Sequence, residues 1–203
     1  MRIATVISCT ALILTTACGG SGASNQELLD DRIEGGDALD LAFPGQTASE
    51  SSGLPGAATY TGVIIAGGGI IGENSEAREI RTLFVGDLSL GVDFGAGTLT
   101  GEGRDFIEAA DFQDLEDLSA GSDASGTLAI EGTRNPGVDV VEFGIAVNGR
   151  IDGRDGAFLE FDDLETTAIG RGANAEAIGF EGTVGAQFDG EDGFLGVSGI
   201  AGR

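Results

Sequence analysis

The sequence predicts an all-β protein, a small eight-stranded antiparallel up-and-down barrel that follows a flexible N-terminal segment. From residue 57 onward, apolar or small residues alternate with polar ones over several stretches, which is typical of strands with one buried face. The links between these stretches are too short for crossover helices, so we expect antiparallel pairing. Eight strands closed into a barrel leave no exposed sheet edge. A two-sheet sandwich is the alternative that this pattern leaves open.

The beginning of the chain resembles a bacterial lipoprotein signal. After a short basic start, an apolar run over residues 3–14 is shorter than the roughly 20 residues that a membrane-spanning helix needs. Small residues then lead to Cys18. We therefore expect a signal peptide over residues 1–17 and a lipid on Cys18 that anchors the chain in the outer membrane. Cleavage after Ala17 or Ala23 without a lipid is the alternative.

Residues 18–56 are predicted to form a flexible, disordered acidic tether between this anchor and the barrel. Leu, Ile, Val and Phe make up 7 of these 39 residues, which is a low share for a segment that packs. The same stretch is rich in Gly, Ser, Asp and Glu, a composition typical of linkers.

The strands of the barrel are predicted over residues 57–203. Eight stretches carry the alternation, and they lie near residues 58–66, 84–94, 97–103, 126–132, 141–147, 156–162, 178–188 and 193–201. Glycines at inward positions, such as Gly86 and Gly182, would let the strands bend as barrel closure requires. One segment between them, residues 105–118, is predicted to be a helix or an acidic loop.

The composition excludes several chemistries. The chain has no His, all ten of its basic residues are Arg, and its net charge is −24. Such a surface repels nucleic acid, so we expect no nucleic-acid partner. Without His or Lys there is neither an imidazole base nor a Schiff-base amine. Only carboxylate chemistry is left, for example that of a glycosidase, and we expect no catalytic residue and no enzyme activity.

Two motifs suggest ligands without meeting the full pattern. Residues 67–72 fit the Gly-x-Gly-x-x-Gly pattern of dinucleotide-binding proteins, but residues 73–81 are too short and polar for the helix that should follow. We interpret the glycines as a loop that joins the first two strands. Asp-Gly-x-Asp-Gly turns at 152–156 and 189–193 could offer oxygen ligands to Ca²⁺, but they lack the spacing of an EF-hand. We therefore predict no metal and no cofactor.

Several parts of the chain together resemble the β-barrel domain of transferrin-binding protein B and related surface lipoproteins. The segments that carry this resemblance are Thr59-Tyr60-Thr61-Gly62, Val92-Asp93-Phe94, Thr98-Leu99-Thr100-Gly101, Asn174-Ala175-Glu176-Ala177-Ile178-Gly179 and Gly199-Ile200-Ala201-Gly202-Arg203. The resemblance implies an eight-stranded barrel on an outer-membrane lipoprotein that captures a partner outside the cell. This chain has one barrel instead of two lobes, and Ala168-Ile169-Gly170-Arg171 stands where Phe-Tyr-Gly-Pro is common. No transferrin-contacting residue can be carried over, so the ligand does not follow from the fold.

We expect an outer-membrane, surface-exposed lipoprotein that binds an extracellular protein or a small ligand through its loops. The segments 67–81 and 105–123 are the predicted contact regions. Within the second, four acidic residues are the candidate partner-binding residues, because they would attract a basic surface; they are Asp111, Asp114, Glu116 and Asp117. A passive structural envelope lipoprotein is the alternative, and a carboxylate-based hydrolase is the third.

Overall fold

The computed structural model describes residues 23–43, 54, 56–71, 78–110, 118–188 and 191–203. In these residues the chain forms one helix and nine strands. They are α1 (Asn25–Ala42), β1 (Ala57–Ile71), β2 (Arg78–Asp93), β3 (Thr98–Ala110), β4 (Ser119–Asp123), β5 (Ser125–Arg134), β6 (Glu142–Asp152), β7 (Phe158–Arg171), β8 (Ala177–Phe188) and β9 (Glu191–Gly202). A short 3₁₀ turn at Arg154–Gly156 lies between β6 and β7.

Eight of the strands close into an antiparallel barrel, which confirms the predicted fold. The strands follow the order β1, β2, β3, β5, β6, β7, β8 and β9, and β9 pairs with β1 to complete the ring. The additional strand, β4, pairs with the end of β3, while β5 pairs with its beginning. Ala124 separates β4 from β5, so the two strands together form one interrupted neighbour of β3.

Side chains fill the barrel interior, as the period of two predicts. On β2 the inward side chains from Phe84 to Phe94 are buried, and the ring of Phe94 packs edge-on against Phe143 with 6.2 Å between centroids. Gly86 makes room for another ring, because a Cβ at this position would lie 2.6 Å from Phe106. No charged residue is buried among the described residues, and the hydroxyl of the buried Tyr60 is hydrogen-bonded. The interior of the barrel is therefore an apolar core.

Two segments that the sequence predicted to be irregular are strands. Residues 67–71 continue β1 and pair with β2, and residues 67–70 also pair with β9, so the prediction of a glycine-rich loop was wrong there. Gly69 is required by a close approach, because a Cβ would lie 1.9 Å from the carbonyl oxygen of Glu79. Residues 105–110 belong to β3, so the predicted helix does not begin there. Residues 111–117 of the predicted helix lie outside the described residues.

Within the predicted flexible tether, residues 18–56, the segment Asn25–Ala42 forms the helix α1, so the prediction is corrected for this segment. Ser24 caps the helix: its hydroxyl accepts a hydrogen bond from the backbone N–H of Glu27, and the Glu27 carboxylate accepts one from the backbone N–H of Ser24. No helix among the described residues has the length and the apolar character needed to cross a membrane.

One face of α1 packs on the outer wall of the barrel. Leu29 is buried there with Val63 and Val85, and Gly36 lies so close that a Cβ would be 2.6 Å from Val63. The guanidinium of Arg32 donates hydrogen bonds to the carboxylate of Asp87 at 2.8 Å and to the carbonyl of Val85 at 3.2 Å. The low average hydropathy of the segment concealed this narrow apolar face, because most of the remaining helix surface is polar.

Candidate functional site

The predicted site residues lie outside the described part of the chain. This holds for the lipidation candidate Cys18 and for the four acidic candidates Asp111, Asp114, Glu116 and Asp117. The flanking strands show where the acidic connection begins and ends, because β3 ends at Ala110 and β4 begins at Ser119. We call this end of the barrel the open end. The connections from β1 to β2, from β6 to β7 and from β8 to β9 lie at the same end.

The opposite end, which we call the closed end, is held by short turns with many hydrogen bonds. The hydroxyl of Tyr60 donates to the carbonyl oxygen of Ala175 at 2.8 Å, in a buried position. The backbone N–H and the side-chain amide of Asn174 both donate to the carboxylate of Glu176 at 2.9 Å. Arg203 completes the arrangement by donating to the carbonyl of Asn174 at 2.8 Å.

This network shifts the pKa of two of its groups. Burial raises the pKa of the Tyr60 hydroxyl; the charge of Arg203 opposes this shift, and that of Glu176 adds to it. The hydrogen bonds from Asn174 lower the pKa of the Glu176 carboxyl. Both groups already have partners within the protein, so the closed end offers a rigid support instead of a free binding group.

The wall of the barrel is open along part of the boundary between β7 and β8. Residues 167–171 of β7 pair with residues 177–181 of β8 near the closed end. Farther along, residues 158–166 pair with β6 and residues 182–188 pair with β9, but the two segments do not pair with each other. We call the space between residues 158–166 and residues 182–188 the cleft. It opens at the open end of the barrel.

A bulge in β7 accounts for this separation. Asp162 and Asp163 together oppose Asn148, and Asp163 has a φ of 56°. Its backbone N–H donates to the side-chain oxygen of Asn148 at 2.7 Å, so the bulge is fixed to β6. Such a bulge bends its strand and increases the local twist. The cleft begins beside Glu181, the last residue of β8 that pairs with β7. There the Thr166 hydroxyl donates a hydrogen bond to the carbonyl oxygen of Glu181.

The cleft exposes Val184, an apolar side chain that a continuous wall would cover; Phe158 lies on the outer face of β7, in phase with Glu160. Val184 has the same inward alternation as Phe180, but it is 44% exposed, whereas Phe180 is 6% exposed. On the other side of the cleft, Phe158 is 46% exposed. A cavity of about 440 Å³ lies where the cleft opens, and Phe158, Glu160, Ala186 and Leu195 line it together with Arg81 and Thr82 of β2.

The two edges of the cleft differ in charge. The β7 edge carries four exposed carboxylates, and they belong to Glu160, Asp162, Asp163 and Glu165. Residues 182–188 of β8 contain no charged residue. Arg150 lies beside the β7 edge, with its guanidinium carbon 4.0 Å from the centroid of the Phe158 ring and a nitrogen 3.5 Å from the Glu160 carboxylate. Its other ion-pair partner is Asp152, at 2.7 Å.

A second concave surface lies between α1 and the outer wall of the barrel. This groove has a volume of about 970 Å³. Ile33 lines it from the helix, while Ile65 and Ile169 line it from the strands. An ion pair between Asp40 and Arg171 joins the helix to β7 across the groove. Asp37 and Glu181 also line the groove, so its apolar strip is bordered by charged residues besides this pair.

The two ligand motifs of the sequence lie partly within the described residues. No three Asp, Glu, Cys or His side chains in this part of the chain lie together in a way that could hold a metal ion. Residues 67–71, which carry most of the glycine motif, form a paired strand instead of the turn between strand and helix that cradles a dinucleotide phosphate.

Sequence reasoning did not predict the cleft or the residues that line it. Alternation alone places Val184 in the core beside Phe180, because it does not reveal where two strands stop pairing. Two signals in the sequence are relevant in retrospect. One is the pair of consecutive acids at Asp162 and Asp163, which interrupts the alternation of β7, and the other is the run without charge in residues 182–188, although such runs also occur elsewhere in the chain, as in 57–72.

Comparisons with known proteins give one distant similarity. No protein-family model and no curated protein matches the chain. Among solved structures, the chain is similar to the crystal structure of a mutant of the vaccine antigen transferrin-binding protein B from Haemophilus parasuis Hp5, with a TM-score of 0.35 and 15% sequence identity. The match covers 77% of this chain and 28% of the other. The barrel is thus a weak structural neighbour of part of that protein.

Proposed function

We propose that this chain is an outer-membrane lipoprotein, anchored through Cys18 and displayed on the cell surface, that binds an extracellular partner through the open end of its barrel. The observation that carries the proposal is the cleft between β7 and β8, which exposes the inward side chain of Val184 near that end, beside the outward ring of Phe158. Exposed apolar side chains with a polar surround are typical of interaction sites.

The filled interior supports recognition at the surface. Buried side chains such as Phe84, Phe106 and Phe143 occupy the interior of the barrel, so a small ligand would have to displace core packing to bind there. The closed end is occupied by its own hydrogen bonds. The open end remains as the surface where a partner can contact both strand edges and connecting segments.

The charge of the chain indicates a basic partner surface. The net charge is −24, and the connection from β3 to β4 contains Asp111, Asp114, Glu116 and Asp117. Electrostatic attraction between these carboxylates and a basic partner would raise the association rate most at low ionic strength. The reason is that the Debye length falls from roughly 30 Å at 0.01 M salt to roughly 10 Å at 0.1 M.

The anchor is tested by metabolic labelling with a fatty-acid analogue. We expect label on the wild-type chain and none on Cys18→Ala, together with protease accessibility of the barrel on intact cells. Label retained in Cys18→Ala would contradict the lipid assignment. A protected barrel in intact cells would contradict surface display and would favour a passive role inside the envelope.

Partner binding is tested by an unbiased pull-down with the full chain, followed by association kinetics with the captured protein. Changing the acidic residues at positions 111, 114, 116 and 117 to Asn or Gln should slow association and leave the melting temperature almost unchanged. The matched control neutralises four acids away from the open end, at Asp31, Glu34, Glu131 and Asp139, and should change the rate less. Equal effects of both sets would show that only the overall charge matters and would contradict a site at this end.

A further inference from the structure

We propose that the cleft between β7 and β8 binds an extended basic polypeptide segment of the partner as an added β-strand. This inference rests on the proposed function and names the chemical class of the partner segment. It follows from three properties of the cleft. They are its unpaired backbone edge, its length and width, and the side chains and charges on its two sides.

The β8 edge presents backbone groups that have no strand partner. The carbonyl of Glu181 points toward β7, because it accepts the hydrogen bond from Thr166. Successive residues of a strand direct their N–H and C=O groups to opposite sides, so those of Thr183, Gly185 and Gln187 face the cleft. The backbone groups of the intervening residues face β9 instead, to which the whole segment is paired on its other side. An extended chain placed beside β8 would find a regular row of donors and acceptors, as in other cases of strand addition.

The cleft has the dimensions of one short strand. At Gly182 the two edges are still in contact, because an added Cβ would lie 2.7 Å from the Leu164 side chain. The β8 side that is free for an occupant therefore runs over residues 183–188, which span roughly 20 Å at about 3.3 Å per residue. A strand that lies between two others needs their separation to be about twice the usual 4.8 Å. The cavity of about 440 Å³ between Phe158 and Ala186 shows that the edges have separated where the cleft opens.

The side chains of the cleft select the residues of an occupant. Toward the interior, Val184, Ala186 and Leu195 would contact every second side chain of the added strand, so these positions should be small and apolar. Toward the outside, Asp162 and Glu165 carry charges with no ion pair within the described residues. The alternate positions should therefore be Lys or Arg.

A second copy of this chain fits the cleft poorly. The chain has no Lys and a net charge of −24, so two copies repel each other when they approach through acidic edges. The charge of the β7 edge would also oppose insertion of any acidic segment of the protein itself. The observations favour a partner strand that brings positive charge.

The test uses a synthetic fluorescent peptide, acetyl-Lys-Val-Lys-Val-Thr-Val-Lys-amide, and the full chain purified in detergent. We expect saturable binding by fluorescence anisotropy. Methylation of alternate backbone nitrogens of the peptide removes strand hydrogen bonds while it keeps the side chains, and it should weaken binding by about tenfold or more. A peptide with Glu in place of each Lys should not bind.

Two protein variants locate the binding. Gly185→Pro removes the backbone N–H that faces the cleft. Gly185→Ala is the control: it keeps this N–H, and its added Cβ has space because no atom lies within 4 Å. We expect about tenfold weaker binding for the proline variant and nearly unchanged binding for the alanine variant. The methylated peptides give the same information without any change in the protein, so a misfolded proline variant would not decide the outcome.

The outcomes separate this inference from the proposed function. Equal binding of methylated and unmethylated peptides would overturn strand addition. A dimer of the chain that forms without peptide and is abolished by Gly185→Pro would also overturn the inference, because a second copy would then occupy the cleft. Partner capture that depends on the acidic residues at 111–117 but not on the cleft would also overturn it, while the proposed function would stand. Peptide binding in the cleft of a protein that is not surface-displayed would support the inference and contradict the proposed function.

Discussion

The hydroxyl of Tyr60 donates a 2.8 Å hydrogen bond to the carbonyl oxygen of Ala175, and this buried bond joins the first strand to the turn before β8. Ala175 has a φ of 53°, a left-handed conformation that is uncommon for residues other than glycine. The bond therefore holds a turn that local preferences disfavour. It also stabilises the end of the barrel opposite the cleft, where β7 and β8 pair.

Removal of this hydroxyl should destabilise the barrel. In Tyr60→Phe the carbonyl of Ala175 is left buried without its donor, which costs about 1–3 kcal/mol. Urea unfolding followed by circular dichroism measures the change. The matched control is Thr59→Val, which removes a hydroxyl from an exposed neighbour on the same strand and should change stability by less than about 0.5 kcal/mol. Equal effects of the two substitutions would contradict a structural role for the bond.

Stability should fall in alkaline solution because of the same residue. Burial raises the pKa of folded Tyr60 above its ordinary value of 10.0. As the pH rises through 10, the unfolded chain loses the phenolic proton first, so the unfolded state binds fewer protons and becomes relatively more stable. The loss continues until the pH passes the folded pKa. The chain has no Lys and one Tyr, so the melting temperature of Tyr60→Phe should vary much less over this range. A parallel decline in both proteins would contradict the assignment.

The helix α1 should detach from the barrel when its main contact is shortened. Leu29 is fully buried against the outer wall, while its neighbour Leu28 is 38% exposed. Leu29→Ala should cost about 2 kcal/mol or more, and it should raise the rate of tryptic cleavage after Arg32 by roughly thirtyfold. Leu28→Ala is the matched control and should have little effect. Similar cleavage of both variants would show that the helix is not held through Leu29.

Because of the cleft, we expect two inward positions on β8 to differ in their tolerance of a charged substitution. Phe180→Asp places an unpaired charge in the core and should unfold the barrel, because that cost of several kcal/mol is comparable to the total stability of a domain. Val184→Asp, four residues along β8, should leave a folded barrel, because this side chain reaches the cleft. Circular dichroism and thermal unfolding distinguish the two. Loss of folding in both variants would indicate a closed wall at Val184.

The barrel could be predicted from the sequence because its signal is repeated along the chain. On β2 the residues from Phe84 to Phe94 alternate without interruption, and the structure buries the inward set. The turn residues and the short connections then limit the topology to antiparallel neighbours. Because the alternation recurs in many strands, it identifies the fold class even where the boundaries of single strands are predicted wrongly.

The helix and the cleft could not be predicted in this way because each depends on particular tertiary contacts. The capping pair Ser24 and Glu27 was visible in the sequence, but the helix is stable on the barrel through Leu29 and the close approach of Gly36. The cleft depends on a bulge at Asp163 that turns β7 away from β8. Alternation describes the two faces of a strand and contains no information on whether a neighbour is present at its edge.

Hydrogen exchange at single amides of β8 tests the open wall most directly. The N–H groups of Gly182, Val184 and Ala186 bond to β9, whereas those of Thr183, Gly185 and Gln187 face the cleft. In the free protein at neutral pH, NMR should show the first set exchanging at least about tenfold more slowly than the second, because only the first set is hydrogen-bonded within the barrel. Equal and strong protection of all six amides would show that β7 covers this edge and would contradict the cleft.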